Sequence, residues 1–338
     1  MDKNNIIYEG NFAFDIEKNE ITAYLGIENK SITIPEMVGG YKVKRLADNL
    51  FSEFTELKSV TIPNSVEEIG EHVFYDCTSL IEIKLSDSLR VIPNHAFCNC
   101  ESLANITIPK SVQEIHEAAF EHCKSLKSIA LPDSMTRIDE TVFYGCSELE
   151  SVVIPKGLTL IGGDAFIGCK KLKSIDIPES VDEIGRFAFE GCESLTSINI
   201  PDNVTEIRDR FSAFCKNLTE IKLPSGLKGI SDDLFSGCTS LKNIEIPNSV
   251  VVIGAHAFRN CTSLAKITIP DSVTIIGVSI DMWDNRRYMP SSNEPTEGVF
   301  DGCTNLQNNF YKGKIHDREH IGELYETINS CEKGCNNE

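Results

Sequence analysis

Isoleucine returns at Ile69, Ile92, Ile115, Ile138, Ile161, Ile184, Ile207, Ile230, Ile253 and Ile276, a fixed step of 23 residues. Leucine keeps the same step from Leu57 to Leu264 and returns at Leu306. A period of this length, held in phase over ten units, constrains the fold more than any single motif does. One unit cannot hide its own apolar side. A stack of units can, and each then touches only its neighbours.

The unit read from Leu172, "LKSIDIPESVDEIGRFAFEGCES", divides into three pieces. The segment L-x-x-I-x-I ends in alternation, which puts Ile175 and Ile177 on one face of a short strand. Proline follows, as at Pro178, Pro201, Pro224, Pro247 and Pro270; it lacks an N–H and so ends the strand and begins a turn. V-x-x-I-G turns the chain along the opposite side, and A-F-x-x-C closes the coil. No unit holds a continuous helical period. The pattern predicts short parallel strands joined by turns or 3₁₀ segments, with little α-helix. About eleven coils at ~4.8 Å each make a rod or arc roughly 50 Å long.

"IPxSVxEIGxxAFxGCxSLxSIxIP", carried closely by Pro178–Pro201 and Pro247–Pro270, resembles the BspA-like (Treponema-type) leucine-rich repeat family. The resemblance covers about residues 34–310. It implies a right-handed leucine-rich-repeat solenoid and a role in protein–protein or host-surface binding.

Three segments follow from this reading. Residues 1–33 form an N-terminal β-hairpin cap, since "NFAFDIEKNEITAYLG" alternates about a polar turn. Residues 34–310 form the solenoid, with an insertion at 278–298. Residues 311–338 form a C-terminal helical cap, because Ile321, Leu324, Ile328, Cys331 and Cys335 fall on one helical face.

Ten cysteines share one column, from Cys77 to Cys261 and then Cys303. Coil geometry aims these thiols the same way, so they read as a ladder of small buried residues rather than disulfides. In the tail, His316, His320, Cys331 and Cys335 could hold a zinc ion or simply pack a helix; without a tight C-x-x-C knuckle, packing is the expected reading and no cofactor is expected. His72 and His95 share a column but have no third ligand. Neither phosphate-binding nor nucleophile-elbow motifs are present, so no catalytic residue and no enzyme activity is expected. In "EIRDRFSAFCKNL", Ser212 stands where phenylalanine is usual, and Phe211 or Phe214 should swing in to refill the spine.

A net charge of −19 disfavours nucleic acid and anionic membrane surfaces as partners, and no apolar run is long enough to insert in a membrane. The expected partner is a protein and the expected state a monomer. The N-terminus lacks a secretory signal, which places the chain in the cytoplasm as given, or at the cell surface or secreted if a leader was removed. Outward strand positions offer a partner Lys84, Thr107, Asp176, Asn199, Lys222 and Glu245. The insertion adds Trp283, Arg286, Arg287 and Tyr288, types enriched in interface hot spots. These residues suit a non-enzymatic recognition scaffold or, alternatively, a surface adhesin for host or matrix proteins.

Overall fold

A computed structural model describes residues 5–26, 30–278 and 298–306. The expected insertion, with Trp283, Arg286, Arg287 and Tyr288, lies outside the described residues. So do the expected helical cap at 311–338 and the His316, His320, Cys331, Cys335 set. The described chain is a β-solenoid of about 11 turns, its repeats about 23 residues apart, with no helix.

The N-terminal edge is an antiparallel meander of Ile6–Glu9, Phe12–Asp15 and Glu20–Tyr24. Glu20–Tyr24 then pairs in parallel with Arg45–Leu46, so the meander joins the solenoid through its third strand. Ser31–Thr33 already lies on the repeat's strand face, paired in parallel with Ser59–Thr61. Glu20, only 6 % exposed, is held by Arg45, whose Nε is 2.7 Å from its carboxylate.

Each coil has three sides. On the first, three-residue strands such as Ser59–Thr61 and Glu82–Lys84 pair in parallel with one side chain inward and two outward. The turn after it closes on the proline carbonyl, as in Val181 N to Pro178 O at 3.0 Å. The second side carries two- to four-residue strands such as Leu160–Ile161 and Glu183–Ile184. The third is a run of turns through A-F-x-x-C.

The third side holds the longest unbroken ladder. In every coil pair from Asn49 to Asp233, three backbone N–H groups donate to the next coil, as at His95 to Glu117, Phe97 to Ala119 and Asn99 to Glu121. To aim these groups, two residues per coil adopt left-handed backbone. One column runs through His72, His95, Ala118, Thr141, Asp164, Phe187, Arg210, Asp233 and His256, with φ of 52 to 58°. The other runs through Asp76, Asn99, His122, Gly145, Gly168 and Gly191. Glycine, Asn and Asp tolerate this region well. Phenylalanine and threonine do not, so in the first column tertiary hydrogen bonding overrides local preference.

The second side closes where glycine follows the isoleucine. Strands pair at Gly70, Gly162, Gly185 and Gly254. They do not pair across to Pro93, Asp139, Arg208 or Ser231; His116 is the exception, its N–H reaching Ile92 O at 2.9 Å. Pro93 has no N–H to give Ile69. Ser231 instead sends its hydroxyl to Ile207 O. The glycines are required by contact: a Cβ on Gly185 would lie 2.5 Å from the Cα of Gly163 and 2.7 Å from the carbonyl carbon of Gly162. Gly185→Ala is therefore expected to force two backbones apart and destabilise by about 1–3 kcal/mol. Gly157→Ala, where a Cβ meets nothing within 4 Å, should change stability little. Urea unfolding of both variants checks this; equal midpoints would refute the close-approach account.

The core is a stack of identical rings. Phe51, Phe74, Phe97, Phe120, Phe143, Phe166 and Phe189 lie near-parallel with centroids 5.3 to 5.9 Å apart. Phe211 fills the spine where Ser212 interrupts it, fully buried and edge-on to Phe189 at 79°. Phe214 turns outward and is 41 % exposed. Phe235, Phe258 and Phe300 resume the parallel stack.

Beside the rings runs the thiol ladder. Cys77, Cys100, Cys123, Cys146, Cys169, Cys192 and Cys215 each donate S–H to the phenylalanine carbonyl of the preceding coil at 3.1 to 3.3 Å. Cys238 uses Ser212 O in the substituted coil. Every cysteine in the described chain is free.

Candidate functional site

The strand face presents the outward positions expected from the sequence. Lys84 ends the strand Glu82–Lys84, Asn199 the strand Ser197–Asn199, Lys222 the strand Glu220–Lys222 and Glu245 the strand Asn243–Glu245. Thr107 and Asp176 are exposed on the same face but outside any assigned strand. The face is not one continuous sheet. Ser197–Asn199 pairs with Glu220–Lys222, and Asn243–Glu245 with Lys266–Thr268. Between Glu220–Lys222 and Asn243–Glu245, among the described residues, no backbone hydrogen bond is made.

At that gap lies an open cavity of about 850 Å³. Asn199, Lys222 and Glu245 line it together with Ser197, Glu220 and Asn243. Its floor includes Ile221, the central strand residue that is only half-buried; its counterparts, such as Ile198 and Ile244, are buried. The gap thus joins an apolar floor to a rim of both charges and amides, the mixture that recognition pockets use to combine area with orientation. Lys84, Thr107 and Asp176 stand elsewhere on the face and are not brought into this cavity. A second opening, of about 960 Å³, lies on the second side at the Pro93 break, lined by Arg45, Asp48, Glu68, Glu71, Asp87 and Arg90 among others.

Candidate chemistry is sparse. Among the described residues no group of three or more His, Cys, Asp or Glu side chains is arranged to hold a metal ion. His72 and His95 are face-to-face stacked, with centroids 4.7 Å apart. Burial pushes the Cys77 and Cys98 thiols up to about 12, Cys98 with the Glu121 carboxylate adding to the effect. Such thiols stay protonated at neutral pH and are poor nucleophiles. No helix long and apolar enough to cross a membrane occurs among the described residues.

Column reading of the strand positions found the lining of the cavity but not the gap. On the third side, rings beyond the expected His72–His95 column also gather. His72 lies 5.6 Å from Tyr75, and His122 is edge-on to Tyr144 at 5.2 Å. The signal was present as aromatic residues in the columns around the left-handed positions.

Compared with known proteins, residues 20–150, 136–250 and 229–320 match the BspA type leucine rich repeat region. Among solved structures, a leucine rich cell surface protein of Faecalibacterium prausnitzii is similar at 28% identity and a TM-score of 0.55, covering 95% of this chain and 97% of that one. A leucine-rich repeat protein of Bacteroides ovatus is similar at 24% identity and a TM-score of 0.46, covering 94% and 100%. A Treponema pallidum leucine-rich repeat protein is similar at 28% identity and a TM-score of 0.33, covering 71% and 90%. No curated protein sequence matches the chain.

Proposed function

The chain belongs to the BspA-type leucine-rich repeat family, and from that premise we propose that it is a non-enzymatic recognition scaffold that binds a protein partner through its strand face. The observation that carries this reading is the cavity at the strand gap, where Asn199, Lys222 and Glu245 surround the half-buried Ile221. An extended partner segment can set an apolar side chain on that floor and satisfy the rim with hydrogen bonds. Lys84, Thr107 and Asp176 extend the contact along the face. Trp283, Arg286, Arg287 and Tyr288 supply a second contact from the insertion.

The test compares capture of a partner by the full chain and by Asn199→Ala/Lys222→Ala/Glu245→Ala. All three side chains are exposed, so the variant should melt like the parent. Capture should fall about tenfold or more, as loss of one or two hot-spot contacts requires. Deletion of 279–296 should weaken the same partner further. A triple variant that captures as well as the parent removes the strand face from the reading.

The cell-surface protein of Faecalibacterium prausnitzii favours a second form of this function, display on a cell exterior as an adhesin. Antibody labelling of intact cells separates the two: labelled cells support display, and labelling only after permeabilisation refutes it.

A further inference from the structure

The third side carries rings and carboxylates that the scaffold does not use. Tyr75, His72 and His95 form one group, and His122 and Tyr144 another. All five are partly exposed. Around them stand Glu53, Asp76 and Glu121; their charges, with Asp76 the largest contributor, hold the Tyr75 phenol above its ordinary range. Glu71, Glu117 and Glu140 are exposed at the edge of the same side.

These acids differ in one respect from those paired across coils. Elsewhere neighbouring coils neutralise each other through pairs 23 residues apart, at Lys44–Glu67, Lys124–Glu101, Lys171–Glu148, Lys173–Glu150 and Lys216–Glu193. Among the described residues, none of the six acids just named has a lysine or arginine within ion-pair distance. Their contacts are amides, an imidazole and a thiol instead: Asn94 on Glu71, Asn99 on Asp76, and His122 and Cys98 on Glu121.

We propose that this side, over the coils from Glu53 to Tyr144, is a docking surface for an arginine- and lysine-rich segment of a partner protein. A guanidinium is planar and weakly hydrated, so it can lie against an aromatic ring while donating to a carboxylate. A ring bordered by acids with no lysine or arginine in ion-pair range offers both contacts at once. The acids do not form a cage, which argues against a metal ion. The length argues against a small polycation. Glu53 and Tyr144 lie four coils apart, ~19 Å at ~4.8 Å per coil, the reach of about six extended residues. This surface is distinct from the strand face, and its partner need not be the same one.

The experiment uses the full chain and a fluorescent deca-arginine peptide, read by anisotropy in about 150 mM salt, where surface charges farther apart than about 8 Å are largely screened. Three comparisons are made. Glu53→Gln/Asp76→Asn/Glu121→Gln should weaken binding about tenfold, while Glu67→Gln/Glu68→Gln/Glu114→Gln, which removes the same charge from the second side, should change it less than about twofold. Tyr75→Leu/Tyr144→Leu should weaken binding about fivefold or more, and Tyr75→Phe/Tyr144→Phe should bind like the parent, since a ring suffices. Asn199→Ala/Lys222→Ala/Glu245→Ala should bind the peptide like the parent. Equal losses from the two charge variants would mean diffuse attraction to a −19 molecule and overturn the proposal. Full binding by the leucine variant, or loss of the peptide on the strand-face variant, would overturn it as well. The phenylalanine variant keeps the leucine result interpretable if the latter folds poorly.

Discussion

Raising the pH from 8 to 10.5 is expected to unfold the solenoid. In an unfolded chain a thiol ionises near pH ~8.5. In the fold, burial pushes Cys77 up to about 12 and Cys100, Cys123, Cys169, Cys215 and Cys238 well above the ordinary value. A proton bound more tightly in the folded chain stabilises it fully below the unfolded value, and this contribution is lost as pH rises toward the folded one. The window therefore opens near pH 8.5 and extends to about 12 at Cys77. Within it each thiol withdraws about 1.4 kcal/mol per pH unit. Five or six thiols acting together would remove roughly 7–8 kcal/mol in one unit, against a typical domain stability of about 5–15 kcal/mol. Circular-dichroism melts under reductant at pH 7.5, 9.5 and 10.5 should show a steep fall. Cys123→Ala/Cys146→Ala/Cys169→Ala should melt lower at pH 7.5 but with a shallower dependence on pH. Melting temperatures for the parent that agree at pH 7.5 and 10.5 would dispose of the ladder as a titrating element.

Phe143→Ala should lower stability by about 3–5 kcal/mol. The side chain is fully buried and sandwiched between Phe120 at 5.9 Å and Phe166 at 5.4 Å. Its loss removes two ring contacts and opens a void that rigid neighbours cannot collapse into, because their backbones are tied by the turn-side ladder. The damage should be local, since a coil interacts only with its neighbours. Hydrogen exchange should accelerate most in the adjoining coils and least near Phe258. Phe214→Ala, at an exposed position with left-handed backbone, serves as the control and should cost far less. A Phe143→Ala loss no larger than that of Phe214→Ala would show that the stack is not what holds the core.

The period and its columns were legible in the sequence because each inward position repeats its residue type. That was enough to predict parallel strands, a buried free-thiol column and a refilled spine at Ser212, and Phe211 does the refilling. The longest ladder was not legible. It is made by backbone atoms, and Ala118, Thr141, Phe187 and Arg210 in its column carry no preference for the left-handed region they occupy. The openings on the second side were visible as Pro93, Asp139, Arg208 and Ser231 in place of glycine, yet their effect depends on how near the next backbone comes. At the candidate site, alternation showed that Asn199, Lys222 and Glu245 point outward. That the strands part between Lys222 and Glu245 is a property of two coils together, which no single unit spells out.

From Asn49 to Asp233 the turn-side ladder joins each coil to the next with the same three bonds, whichever residues the coil contains. Removing one whole unit would therefore bring together two edges that already match. A lineage can lengthen or shorten such an array in 23-residue increments by slippage of its gene, resizing what it can grip without having to reinvent the fold.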